Sequence, residues 1–156
     1  MGTEIKSILI PTDFSDLSTN ALQVAVKMAQ RHEAKLLIIH VVHTYYLIDR
    51  GGKQVIGSET VQENINNAKI KLDELQISLH EEFNITVETK ISTESLLDII
   101  NDLVATEQVD LVVMGTSGRQ NIKQLILGSN SYNILLNANC SVLLIPENFK
   151  KTSFKK

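Results

Sequence analysis

The sequence predicts an α/β fold, an open parallel sheet with helices on both faces, and two observations carry that expectation. Short, continuously apolar runs rich in β-branched residues alternate with longer segments whose apolar residues recur at helical spacing. The alternation is strict, βαβαβαβαβ, and a strand that returns parallel to its neighbour needs a covering crossover helix. At 156 residues the chain fits one domain, which buries roughly 70% of its unfolded surface.

Ser7-Ile8-Leu9-Ile10, closed by Pro11, is apolar without alternation and so needs both faces covered, as in a buried parallel strand. From Ser18 onward Ala21, Leu22, Val24, Ala25, Met28 and Ala29 mark one face of a helix, with Ser15 or Ser18 placed to cap its first turn. Lys35 to Val42 repeats the buried-strand signature around Leu36-Leu37-Ile38-Ile39. A loop holding Gly51, Gly52 and Gly57 follows, long enough to be functional or mobile and placed to act as a lid. Val61, Ile65, Ala68, Leu72, Leu75 and Leu79 form the clearest helical stripe of the chain, about five turns long.

Ile85 to Ile91 alternates apolar Ile85 and Val87 with polar Thr86 and Glu88, the pattern of a strand with one wet face near a sheet edge. Leu96, Leu97, Ile99, Ile100, Leu103 and Val104 give the next helical stripe. Leu111 to Met114 then reads as a strand, about Ile122 to Asn137 as a helix, and Val142 to Ile145, closed by Pro146, as the last strand. Residues 1–147 make one domain, and 148–156, with Lys150, Lys151, Lys155 and Lys156 but no apolar period, make a flexible basic tail.

The charge balance of 15 Lys plus Arg against 18 Asp plus Glu gives −3, which argues against a nucleic-acid surface, where clustered basic residues must neutralise phosphates. Cys140 is the one cysteine, so no internal disulfide forms and a reducing cytoplasm is the expected compartment. No signal peptide and no apolar run of about 18 residues is present, so no membrane span is expected.

In an open parallel sheet ligands bind beyond the carboxyl ends of the strands, where strand order reverses. Two segments follow strands in a way that suggests chemistry: Pro11-Thr12-Asp13, and Gly115-Thr116-Ser117-Gly118 with Gly128-Ser129-Asn130-Ser131 nine residues on. Three of the chain's seven glycines fall there. Glycine lets backbone amides approach a phosphate without a Cβ clash, and the unpaired amides of a helix N-terminus favour anions. Ser129 and Ser131 add hydroxyl donors. Taken singly, each glycine equally suits a tight turn or close helix packing. The pattern is neither a Walker loop, lacking Gly-Lys-Ser or Gly-Lys-Thr, nor a first-turn dinucleotide fingerprint, since Pro11-Thr12-Asp13-Phe14 follows the first strand.

These residues resemble the universal stress protein family over nearly the whole chain, from Ile5 to Pro146. The resemblance lies in Ile8-Leu9-Ile10-Pro11-Thr12-Asp13-Phe14-Ser15, in His40-Val41, and in Val112-Val113-Met114-Gly115-Thr116-Ser117-Gly118-Arg119 with Leu127-Gly128-Ser129. It implies a single-domain member of the ATP-binding branch, with an adenine nucleotide alpha hydrolase-like sheet of order 3-2-1-4-5. It further implies that Pro11, Thr12 and Asp13 line the nucleoside end, with Asp13 hydrogen-bonding it and Val41 offering backbone groups to adenine. Met114 and Gly115 would line the pocket, and Gly118, Gly128, Ser129 and Asn130 would hold the phosphates, with Ser131 counted in the same binding set. Arg119 and Lys123 would add positive charge, although both equally suit exposed surface, and Asp13 has a competing role as a turn or capping residue. Asn130, usually apolar in the family, and Ser141, where proline is common, depart from the pattern. The resemblance also implies a homodimer through Val142 to Ile145.

Catalytic constellations are thin. His40 and His43 are three apart, on opposite faces if the strand continues, which argues against a shared metal. Cys140 has no basic sequence neighbour to activate it, and Glu81-Glu82 reads as solvated helix surface. The resulting expectation is an ATP-binding stress-response regulator, with Mg²⁺ accompanying the nucleotide, acting as a switch rather than a catalyst. The alternatives are a slow ATPase or nucleotidyl transferase in the same pocket, and a nucleotide-free dimeric scaffold.

Overall fold

Residues 4–44, 46–48, 50–52, 54–56, 58–116 and 128–146 are described by the computed structural model. The chain runs β1 (Ser7–Pro11), α1 (Asp16–His32), β2 (Lys35–Val41), β3 (Tyr46–Ile48), β4 (Gln54–Ile56), α2 (Ser58–Phe83), β5 (Val87–Ser92), α3 (Leu96–Glu107), β6 (Leu111–Gly115), α4 (Ser129–Asn137) and β7 (Ser141–Ile145). Five strands form one sheet of order β5-β2-β1-β6-β7, every neighbouring pair parallel. Counting only these five, the order is the expected 3-2-1-4-5.

Alternate residues of the central strands enter two separate cores. Ile8, Ile10, Leu36, Ile38, Leu111 and Val113 pack with α1 and α2 through Ala21, Ala25, Ala29, Leu72 and Leu79. Leu9, Leu37, Ile39, Val112 and Met114 pack on the other face against α3 and α4 through Ile99, Ile100, Leu103 and Ile134. This two-sided burial is why the strand runs are apolar without alternation. Each large side chain so enclosed contributes about 1.5–3 kcal/mol of transfer free energy. The edge strand β5 keeps its half-wet pattern: Val87 is buried and Glu88 exposed.

Helix ends follow local chemistry. The Ser15 hydroxyl accepts from the Ser18 amide at 3.3 Å and the Ser95 hydroxyl from the Asp98 amide at 3.2 Å, capping α1 and α3. The left-handed residues that stop α1, α2 and α3 are Glu33, Asn84 and Gln108. None is glycine, so the scarce glycines are left for other places.

At the amino end of the sheet, Asp110 Oδ2 accepts from the Lys6 amide at 2.8 Å and the Ser7 amide at 3.0 Å, while its own amide donates to Ser7 O at 2.9 Å. Beside it, Lys35 bridges Glu88 at 3.3 Å and Glu107 at 3.2 Å, joining β2, β5 and α3.

The elements differ from the sequence expectation in three places. The glycine-bearing loop after β2 contains an antiparallel hairpin, with Tyr46 opposite Ile56 and Ile48 opposite Gln54, turning near Gly52 at φ 78°. Helix α2 has 26 residues, longer than its apolar stripe, because Ser58-Glu59-Thr60 at its start carry no hydrophobic signal and Phe83, packed on the core four residues after Leu79, extends its buried face by a turn. The last helix starts at Ser129: Gly128 is extended, at φ −61° and ψ 158°, so a helix cannot run through it from Ile122. Gly57, residues 117–127 and the basic tail 148–156 lie outside the described residues.

Candidate functional site

The crossover directions reverse between β1 and β6, which lie side by side. Their carboxyl ends open onto a cavity of about 680 Å³. From β1 and the turn after it come Pro11, Thr12 and Asp13, and from the end of β6 come Met114 and Gly115. Val41 closes one side from the end of β2, and Gly128, Ser129, Asn130 and Ser131 close the other from the start of α4. These residues, chosen from sequence, therefore share one cavity. Gly118 and Arg119, together with Ser117 and Lys123, lie outside the described residues.

The α4 end of the cavity is a helix N-terminus without a side-chain cap, since Gly128 has no side chain to offer. The other capped helices, α1 and α3, each use a serine there. The Gly128 amide donates to Thr116 O at 3.0 Å, and the Thr116 amide to Ile145 O at 3.2 Å, so the start of α4 is held to β6 and β7. The Ser131 hydroxyl donates to Gly115 O at 3.1 Å, which uses its single proton and leaves only its lone pairs for a ligand. Ser129 and Asn130 are exposed at the cavity. First-turn amides lying beside these residues present positive partial charge to whatever fills the cavity.

The opposite end is the turn 12–15. The Thr12 hydroxyl accepts from the Phe14 amide at 3.0 Å, and Asp13 Oδ1 accepts from the Ser15 amide at 2.9 Å. Asp13 thus does act in the turn, and its remaining carboxylate capacity is at the cavity. Partial burial opposes its charge, but hydrogen bonds from the Ser15 side chain and amide and from Ser18 outweigh that, holding its carboxyl below the usual carboxylate range. Phe14 sits at φ 63°, a left-handed conformation that costs a bulky residue about 1–2 kcal/mol.

Ser15, Ser18, His43 and Leu96 also line the cavity. The two serines read from sequence only as caps, yet a cap directly after β1 necessarily stands at the ligand end of the sheet. Leu96 arrives from the start of α3, a placement no local pattern announces. His43 lies two residues past β2, so strand alternation does not separate it from His40. Both histidines instead line a second cavity of about 350 Å³, on the α2 side of Asp13. No group of three or more His, Cys, Asp or Glu able to hold a metal occurs among the described residues.

Cys140 is half-buried, and burial, with the nearby Asp110 charge, raises its thiol above the ordinary range despite an opposing backbone hydrogen bond from Val112. The shift runs away from the thiolate, which is the reactive form. No described helix is long and apolar enough to cross a membrane.

Fold and site together define a doubly wound α/β protein with a cavity at the switch point and an uncapped helix N-terminus at its rim. The chain belongs to the universal stress protein family, whose model matches residues 4–146. It is 29% identical over 142 residues to universal stress protein MJ0531 of Methanocaldococcus jannaschii, covering 90% of this chain and 81% of that one. Among solved structures it is similar to universal stress protein UspA from Lactobacillus plantarum, with TM-score 0.76 and 26% identity over 92% of this chain and 99% of that one. The universal stress protein from Archaeoglobus fulgidus, solved in complex with dAMP, shares the fold at TM-score 0.63 and 20% identity, covering 92% and 99% of the two chains.

Proposed function

We propose that this protein binds ATP in the switch-point cavity and that occupancy stabilises one conformation or assembly, a regulatory part in a cytoplasmic stress response. The observation that carries the reading is the uncapped start of α4, with Gly128 at its cap, facing Asp13 and Val41 within one cavity. One end suits phosphates, through oriented amides and the Ser129 hydroxyl. The other suits a nucleoside, through the Asp13 carboxylate and the β2 end at Val41. The dAMP complex of the Archaeoglobus relative supports an adenine nucleotide as the ligand class.

Mg²⁺ accompanies the triphosphate in this reading. A cation of that size commonly takes one or two carboxylates plus phosphate oxygens and water, and among the described residues Asp13 is the carboxylate that lines the cavity. A switch is favoured over a catalyst because Asp13 spends Oδ1 on the Ser15 amide of its own turn and His43 is the one other titratable side chain at the cavity among the described residues, too few for a nucleophile, a base and a group to orient them.

The assembly is a homodimer through β7. Among the described residues this strand is hydrogen-bonded on one side only, by β6, and the neighbouring α4 exposes Tyr132, Leu135 and Leu136. An open apolar edge is a liability that pairing with a second copy removes.

A thermal-shift titration with ATP, AMP and GTP tests the reading. At 100 times its dissociation constant a ligand stabilises the native state by about 2.7 kcal/mol. A rise in Tm with the adenine nucleotides is expected, and no shift with any of them would sink the proposal. Phosphate release measured in the same samples separates a switch from a slow ATPase.

A further inference from the structure

Asp13 stands between two cavities, the 680 Å³ one at the switch point and the 350 Å³ one on the α2 side, and lines both. With open space on each side, packing does not fix the carboxylate; the backbone of its turn must. That backbone is held from β2. The Thr12 amide donates to Ile39 O at 2.8 Å, and His40 Nδ1 lies 2.7 Å from Thr12 O. A carbonyl only accepts, so Nδ1 carries the proton and His40 is fixed as the donor. The residue after Asp13, Phe14, keeps its left-handed φ of 63° with its ring 4.8 Å from the His40 ring and the Lys71 ammonium 5.0 Å above it. His40 therefore grips the turn twice, at the residue before Asp13 and at the residue after it.

We infer that His40 is a positioning residue for the ligand site: it holds the 12–14 turn in the one geometry that directs Asp13 to the nucleoside. It does not line the switch-point cavity itself, so it acts through Asp13 and not on the ligand. The inference rests on the nucleotide-binding reading for its effect on affinity, but not for its geometric content.

The test uses the full chain and five proteins: wild type, His40→Leu, His40→Asn, Asp13→Ala and the Asp13→Ala/His40→Leu double variant. Asn places an amide donor near the position of Nδ1 and should restore what Leu loses. Titration with Mg²⁺-ATP is expected to show about tenfold weaker binding for His40→Leu, the order of one lost hydrogen bond in a site. It should show recovery in His40→Asn and no further loss on adding His40→Leu to Asp13→Ala. Unchanged affinity in His40→Leu, or the same loss with and without Asp13, overturns the inference.

Two NMR measurements decide the geometric content independently of nucleotide. The wild-type imidazole nitrogens should report the Nδ1–H tautomer, which decides the matter alone if His40→Leu does not fold, and the Asp13 carboxyl should titrate higher in His40→Leu and close to its wild-type value in His40→Asn. An Nε2–H tautomer, or an Asp13 titration unmoved in His40→Leu, refutes the positioning role. Wild-type protein that fails to bind ATP while both NMR results hold defeats the nucleotide reading and leaves His40 as the clamp of the turn.

Discussion

The Ser131 hydroxyl donates to the Gly115 carbonyl across 3.1 Å, so the first turn of α4 is tied to the end of β6 inside the candidate site. Ser131 is 4% exposed, and replacing it with Ala leaves Gly115 O without that donor. Ser131→Ala should lower stability by about 1 kcal/mol, a fall of about 2–4 °C in Tm for a chain of this size. It should also weaken ATP binding, because the phosphate end of the cavity loses its anchor. Denaturant unfolding and an ATP titration of the same variant check both parts.

Gly128→Val separates binding from folding. The Gly128 backbone is extended at φ −61° and ψ 158°, a conformation open to any residue, so the fold should persist with unchanged circular dichroism. Gly128 lines the cavity, so added bulk there should crowd its phosphate end, and the thermal shift with ATP should disappear. A retained shift would mean that the nucleotide does not use the start of α4.

Asp13 gives a pH dependence whose sign is set by its lowered folded pKa. A carboxyl depressed on folding adds stability above its unfolded pKa of about 3.9, and that stability is lost as pH falls through the lower folded value. Thermal melts of wild type between pH 6 and pH 3 should therefore lose Tm below about pH 4. Asp13→Asn should start lower at pH 6 and lose less. An identical acid slope in the two proteins would show that the Ser15 and Ser18 hydrogen bonds do not hold the charge.

Val142→Lys tests the β7 interface. Val142 is partly buried on the edge strand, and a lysine there places like charges near the two-fold axis of a β7–β7 pair. Light scattering at micromolar protein should give a dimer mass for wild type and a monomer mass for the variant. A wild-type monomer would refute the dimer.

Ser7 offers a stabilising change. Its hydroxyl is buried, with no hydrogen-bond partner among the described residues, and a buried unpaired hydroxyl carries a desolvation cost of about 1–3 kcal/mol. Ser7→Ala should raise the urea midpoint at unchanged m-value, whereas a lower midpoint would reveal a partner for the hydroxyl.

How much of this was legible in sequence depended on whether the signal was local. Continuous apolar runs named the strands because burial on both faces removes alternation, and stripes such as Val24, Ala25 and Met28 named the helix faces. The hairpin was not legible. Tyr46-Leu47-Ile48 and Gln54-Val55-Ile56 are each too short for a period, and the glycines between them read as loop. At the site, Pro11 to Asp13 and Gly128 to Ser131 stood out because both follow strands, but uniting them needed the strand order, which came from resemblance and not from periodicity. His43, Leu96 and the grip of His40 on Thr12 arise only when β2, α3 and β1 meet in space, and no pattern within one segment encodes that meeting.

The Asp110 contacts solve a problem that the doubly covered sheet creates for itself. A strand with one wet face resists slipping by one residue, because the slip would expose its apolar side. β1 lacks that safeguard, since Ile8, Leu9 and Ile10 are all enclosed and either face would accept them. Asp110, bound to the amides of Lys6 and Ser7 at one end of the β1–β6 pair, acts as an index mark: a shift by one residue forfeits two charge-assisted hydrogen bonds at once. Because Pro11 and Gly115 stand at the other ends of the same two strands and line the switch-point cavity, alignment of that cavity is decided at the far side of the molecule, by a carboxylate that does not line it.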